Sequence, residues 1–200
     1  AQRPVEITQW ESVLELVNVR LETNVLKFGS GMPDVSQPTI KPLWKEMSRL
    51  CQYQDPRVLQ YDSVYGVPAL REQIARLTVD CGCQLTQDDI VITTGCQEAL
   101  FVAVRAVCQP GDIVAVESPA FPGTMQILRG MDIKAIEIPT DSVTGISLEA
   151  LRLALDQWPI KAVLLVPSCN NPLGFIMPDA RKKSLVTLAQ HFDIAIIEDD

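Results

Sequence analysis

Four polar clusters carry the residue types with which this chain could do chemistry: Thr94-Gly95-Cys96-Gln97, Ser118-Pro119-Ala120-Phe121, Ser168-Cys169-Asn170-Asn171 and Glu198-Asp199-Asp200. Each stands directly after a short aliphatic or β-branched run. Gly95 breaks the run Ile90-Val91-Ile92, and Gln97 opens an apolar stretch too long for a strand, so strand, tight turn and helix are expected there. Such a turn aims unpaired backbone N–H groups and the positive end of a helix dipole at one spot, which suits a phosphate. Thr94 and Gln97 can add side-chain donors. The same stretch also reads as an ordinary connection feeding a central helix, a reading that Phe101, Val102 and Val104 fit equally well.

The clusters need elements to hold them, and the apolar pattern supplies these. Strands are predicted at Ile113–Val116, Ile133–Ile138, Ala162–Val166 and Ile194–Ile197. Helices are predicted with inner stripes Leu43/Met47/Leu50, Leu70/Ile74/Leu77, Leu148/Leu151/Leu155 and Leu185/Leu188/Ala189. Pro68 and Pro178 stand at helix starts, and Ser147 is a helix cap. Near the beginning, Thr8 to Glu11 has capping-box spacing ahead of Trp10, Val13, Leu14 and Val17. Phe28 to Asp34 reads as a loop. Strands alternating with helices predict an α/β fold, a mostly parallel sheet with helices on both faces. In such sheets ligands bind beyond the carboxyl ends of the strands, where all four clusters fall.

Composition narrows the class. The 200 residues are 47% hydrophobic, enough for a sizeable core, and the net charge of −8 disfavours direct nucleic-acid binding by this segment. No apolar run reaches membrane-spanning length, and a cytoplasmic protein is expected. Six cysteines show no Cys-x-x-Cys spacing, so reduced, mostly buried thiols are expected rather than a disulfide framework or a zinc site. Cys96, at a helix start, is expected to have a lowered thiol pKa. The sole histidine, His191, reads as a solvated or capping group near a helix end, which leaves no serine–histidine chemistry.

Taken together, a phosphate seat, an aromatic ring, an amide and a carboxylate suit a flat, phosphorylated heteroaromatic ligand. The ordered set Tyr61-x4-Gly66-x3-Leu70-Arg71, Thr94-Gly95-Cys96-Gln97, Pro119-x-Phe121, Asn171-Pro172-Leu173-Gly174 and Asp199-Asp200 resembles the fold-type-I pyridoxal-phosphate (PLP) aminotransferases. The resemblance runs from about Gly29 onward. Around Cys169–Arg181 and Glu198–Asp200 it is greatest to the aminotransferase-like domain of GntR-type transcriptional regulators of the MocR subfamily. There a winged-helix DNA-binding domain and a linker come first.

The resemblance implies a cofactor, pyridoxal 5'-phosphate, and a role for each matching residue. Gly95, Cys96 and Gln97 would hold its phosphate, Phe121 would stack on the pyridine ring, and Asn171 would donate to the phenolic oxygen. Asp199 would pair with the ring nitrogen. It is preferred to Asp200 because the family places a tyrosine three residues after this carboxylate. Tyr61 would reach the partner subunit's phosphate across a homodimer, and Gly31 would lie near a substrate carboxylate. Cis bonds are implied at Ser118-Pro119 and Asn171-Pro172. Structural readings stand beside these: Phe121 or Tyr61 as core, Asn171 or Gly31 as turn residues, Gln97 as a first-turn residue, and Asp199 as a cap.

By the same resemblance, residues 1–27 form a linker or arm with a short helix, 28–58 the first segment of a small domain, and 59–200 the first part of the PLP-binding domain. Lysines 27, 41, 45, 134, 161, 182 and 183 lack the Ser/Thr-x-x-Lys setting of the Schiff-base lysine, which is expected beyond Asp200. No catalytic residue is therefore expected within the chain, and Lys182 and Lys183 read as a solvated helix face. Leu173, Phe121 and Cys96 depart from the family's commoner residues. Two functions are carried forward: an effector-sensing regulator domain with a small amino compound as effector, and the front part of a free-standing aminotransferase acting on an amino acid.

Overall fold

The computed structural model describes residues 34–53, 56 and 60–200. Readings that fall on residues 1–33, Gly31 and the helix from Thr8 among them, lie outside the described residues. The chain divides at Ile92/Thr93 into two compact units.

In the unit ending at Ile92, helix α1 spans Lys41–Tyr53 and helix α2 spans Pro68–Val79, with Pro68 in its first turn. The stripe Leu43, Met47 and Leu50 lies on α1 as predicted, but none of it is buried. On α2 the inner face differs from the predicted Leu70/Ile74/Leu77. Arg71 and Ala75 are buried, whereas Leu77 is 68% exposed. The guanidinium of Arg71 turns the helix: it donates to the Gln87 carbonyl at 2.9 Å and lies over the Tyr65 ring. Ile90–Ile92 forms no strand. The Ile90 N–H donates to the Gln87 carbonyl and the Ile92 N–H to the Tyr65 carbonyl, and β-branching alone makes no ladder without an extended neighbour. Gly66 permits that approach, since a Cβ there would stand 2.5 Å from Ile92.

The unit from Thr93 to Asp200 is a layered α/β fold. Its elements are α3 (Cys96–Val107), β1 (Ile113–Ser118), α4 (Pro122–Gly130), β2 (Lys134–Asp141), β3 (Gly145–Ile146), α5 (Leu148–Gln157), β4 (Ile160–Leu165), α6 (Asp179–Phe192) and β5 (Ala195–Glu198). The sheet order is β3-β2-β1-β4-β5, parallel except for the β2–β3 pair. The two-residue β3 is too short to show as a periodic run in the sequence. Ser147 caps α5 by accepting from the Ala150 N–H.

Alternation along the strands builds two cores. Ile113, Ala115, Ile136, Ile138, Val163 and Leu165 face α5 and α6, where Leu151, Leu155 and Leu185 meet them. Val114, Val116, Ala135, Ala162 and Leu164 face α3 and α4, against Leu100, Val104, Ile127 and Leu128. Both faces of the sheet are thus covered by helices, as a parallel sheet requires. The strand order reverses between β1 and β4, the place where such folds open a ligand crevice.

Burial predicts unequal costs along α5. Leu151 is fully buried and Leu153 is 61% exposed. Leu151→Ala should cost about 2–5 kcal/mol in urea denaturation, and Leu153→Ala less than about 0.5 kcal/mol. Equal losses would refute this assignment of the helix face.

Candidate functional site

Three of the four polar clusters meet around the start of α3 and the ends of β1 and β5. Gly95 precedes α3 with φ 146°, a region that favours glycine, and places no side-chain cap on the helix. The N–H groups of the first turn therefore face outward without a side-chain acceptor. The Thr94 N–H donates to the Glu98 carboxylate, which this bond holds below the usual carboxylate range. Thr93 Oγ1 donates to the Gly95 carbonyl at 3.1 Å and braces the turn from the other side.

Cys96 Sγ donates to Asp199 Oδ1 at 2.8 Å, which ties the α3 start to the segment after β5. The Asp199 N–H in turn donates to the Leu165 carbonyl, extending the parallel pairing past β5. The helix N-terminus alone would depress the Cys96 thiol, as the sequence suggests. Instead its pKa is pushed from 9.0 up to about 11, chiefly by the hydrogen bond to Asp199, with desolvation and the negative charge acting the same way. A carboxylate accepting the proton's bond outweighs a half-charge at a helix end.

Gln97 and Phe121 flank Gly123. A Cβ on Gly123 would lie 2.5 Å from both Gln97 Nε2 and Phe121 Cε1, so only glycine lets the two side chains close over that point. The structure thus brings Cys96 to Asp199 and Gln97 to Phe121. Asn171 stands apart from these contacts, exposed in the turn that follows β4. Tyr61 is fully exposed in the other unit. The Ser118–Pro119 and Asn171–Pro172 bonds are both cis.

Several readings need correction. Five cysteines are exposed and only Cys108 is buried, because the others sit in turns or on exposed helix positions; all six are free thiols. Lys182 is not simply solvated: it is half-buried and donates to Ser168 Oγ at 3.2 Å, whereas Lys183 is exposed. His191 lies exposed in the last turn of α6 with its ring edge-on to Phe192. Sequence reasoning missed Glu117, Gly123 and Asn170. Glu117 had a signal: it is a carboxylate closing the run Ile113–Val116, and the structure keeps it inside β1. Asn170 had none, standing beside the more conspicuous Asn171.

The donor set fits a flat phosphorylated ligand. Open backbone N–H groups at Gly95–Gln97 suit an anion, Phe121 offers a ring face, and Asp199 offers a carboxylate. Among the described residues no group of side chains could hold a metal ion, and no helix is long and apolar enough to cross a membrane.

This arrangement is the fold of the fold-type-I PLP-dependent aminotransferases. The Pyrococcus horikoshii kynurenine aminotransferase superposes with a TM-score of 0.84 at 30% identity, over 98% of this chain and 49% of that one. The Thermus thermophilus α-aminoadipate aminotransferase LysN, solved with N-(5'-phosphopyridoxyl)-L-leucine, gives 0.80 at 25% identity, over 96% and 46%. The family model for aminotransferase class I and II matches residues 23–200, and the chain belongs to that family. Among its relatives, the uncharacterized HTH-type transcriptional regulator YjiR of Escherichia coli strain K12 is 58% identical over 100% of this chain and 42% of its own length. The mouse mitochondrial kynurenine/α-aminoadipate aminotransferase is 35% identical over 72% of this chain and 38% of its own. The chain therefore spans less than half the length of the relatives it matches.

Because the folded thiol pKa lies above its ordinary value, the Cys96–Asp199 bond contributes stability below about pH 9 and loses it as pH rises through about 11. Residue-resolved alkylation of Cys96 should follow that titration, and Asp199→Ala should move its midpoint down toward the ordinary range. A midpoint below 9.0, the ordinary value, or one indifferent to Asp199, would refute the bond.

Proposed function

We propose that this chain is the front part of the effector-sensing, PLP-binding domain of a GntR/MocR-type transcriptional regulator. The observation that carries this reading is the 58% identity along the whole chain to an HTH-type regulator, against 35% over 72% of the chain to an aminotransferase of that family. A free-standing aminotransferase is the second reading, favoured by the close superposition on the kynurenine aminotransferase.

In this reading the N–H groups of Gly95, Cys96 and Gln97 receive the cofactor phosphate. Phe121 covers the pyridine face, and Gly123 leaves room for Phe121 and Gln97 to do so together. Asn171 donates to the phenolic oxygen. Asp199 pairs with the ring nitrogen and keeps it protonated; a cationic N–H is a stronger partner for a carboxylate than a thiol, so Cys96 yields Asp199 to it. The bound cofactor supplies an electron sink toward amino compounds. Tyr61 serves the partner subunit's phosphate in a homodimer, and Gly31 lies by the effector's carboxylate. DNA is met by a winged-helix domain preceding the chain, and the acidic balance of the chain itself is consistent with that division of labour. Sensing requires that an amino compound bind one of two states of the dimer more tightly than the other.

Two experiments on the full-length protein test this. PLP should bind with a visible absorption band, and Asp199→Ala should weaken retention about tenfold or more; unchanged retention removes Asp199 from the site. Operator affinity should change by about 5–150-fold on adding the right amino compound to the PLP-loaded protein. Affinity indifferent to a broad panel of amino compounds, alongside measurable transamination, would favour the enzyme.

A further inference from the structure

Glu117 is the only carboxylate buried among the described residues, with 3% of its surface exposed. It is the last residue but one of β1, next to the cis Ser118–Pro119 bond, and reaches the chain after β4 across the point where strand order reverses. Its Oε2 accepts from the Val166 N–H at 2.9 Å and from Asn170 Nδ2 at 2.9 Å. Asn170, itself 3% exposed, spends the rest of its amide on the same turn. Nδ2 also donates to the Val166 carbonyl at 3.1 Å, and Oδ1 accepts from the Leu173 N–H at 3.0 Å. Its backbone N–H donates to the Phe175 carbonyl, and its carbonyl accepts from the Gly174 N–H at 2.7 Å.

Asn170 is thus bonded to chain on both sides of Asn171-Pro172. Its amide can be seated in only one sense, because a flip would set its oxygen against Glu117 Oε2 and forfeit the bonds. The carboxylate fixes that sense together with the Val166 carbonyl and the Leu173 N–H, and it is the one side chain among the three. We propose that Glu117 is a positioning residue for Asn171, acting through Asn170 to hold the turn that presents Asn171 to the cofactor. The inference rests on the reading that Asn171 meets the cofactor.

A purely structural account fits poorly. Burial raises the Glu117 pKa, with the bonds from Val166 and Asn170 opposing it, and Oε1 is buried with no protein partner. A buried carboxyl with one oxygen lacking a protein partner is a costly way to meet the single Val166 N–H. An acceptor at this point does two things an apolar residue cannot: it meets the Val166 N–H, and it bonds the Asn170 amide and so helps to orient it.

The test compares Glu117→Gln, Glu117→Met, Asn171→Ala and the double variant Glu117→Met/Asn171→Ala in the full-length protein. PLP affinity and the position of its visible band are measured, with folding checked by circular dichroism. Asn171→Ala should weaken PLP about tenfold and shift the band, and Glu117→Met should do the same to a lesser degree, about threefold or more. Glu117→Gln, which keeps the acceptor, should recover most of that loss. The double variant should be no worse than Asn171→Ala to within about twofold, since both changes act through one contact. Multiplying effects, no rescue by Gln, or a Glu117→Met protein with wild-type affinity and spectrum would each overturn the proposal. If Asn171→Ala changes nothing while Asp199→Ala still weakens PLP, the proposal falls and the site stands; if neither matters, both fall. Should Glu117→Met fail to fold, Asn170→Ala removes the same bond from the other side and takes its place in the cycle.

Discussion

A parallel sheet covered on both faces leaves polar groups almost nowhere to go except past the strand ends, and that constraint organises the unit from Thr93 onward. Val114, Val116, Ala162 and Leu164 fill one face while Ile113, Ala115, Val163 and Leu165 fill the other. Most hydrogen-bonding side chains are therefore carried at the strand ends and on the loops that leave the sheet, and parallel strands send those ends to one side. The turn after β1, the turn after β4 and the tail of β5 lie at that end for this reason, and the Cys96–Asp199 bond brings the start of α3 to the tail of β5. Their closeness follows from topology before any individual contact is considered.

Asp199 has two suitors. It holds the Cys96 thiol, which keeps the carboxylate seated over the helix start and keeps the thiol protonated. In the proposed site a protonated ring nitrogen would compete for Asp199 through a charge-assisted bond, and the thiol would act as a placeholder rather than a rival nucleophile. On that proposal the residue type at position 96 would set how firmly the acid is held before the cofactor binds. A serine there would form a similar bond, whereas an alanine would leave the carboxylate to water.

Much of this is legible in the sequence because strand-end clusters and period-two runs are local signals. Ile113–Val116 and Ala162–Val166 could belong to nothing but buried strands, and Ser147 marks the helix that follows. What escapes depends on partners far away in sequence. Ile90–Ile92 has the composition of a strand and pairs with no strand among the described residues. Leu70 and Leu77 have helical spacing, yet Arg71 claims the inner face because Gln87 and Tyr65 stand there to receive it. Cys96 sits where a dipole should acidify it, and a carboxylate from more than a hundred residues on reverses the sign. Asn170 draws no attention beside Asn171, since only the folded sheet sets it against Glu117.

The central ladder between β1 and β4 joins segments separated by α4, β2, β3 and α5. During synthesis β1 emerges with one hydrogen-bonding edge vacant, and it stays vacant until an entire crossover has been made. Closing so large a loop is slow relative to local helix formation, so this ladder is expected to form after the helices on either side of it. Glu117, near the end of β1, is a charge of the kind that discourages another chain from adding its own strand to an open edge.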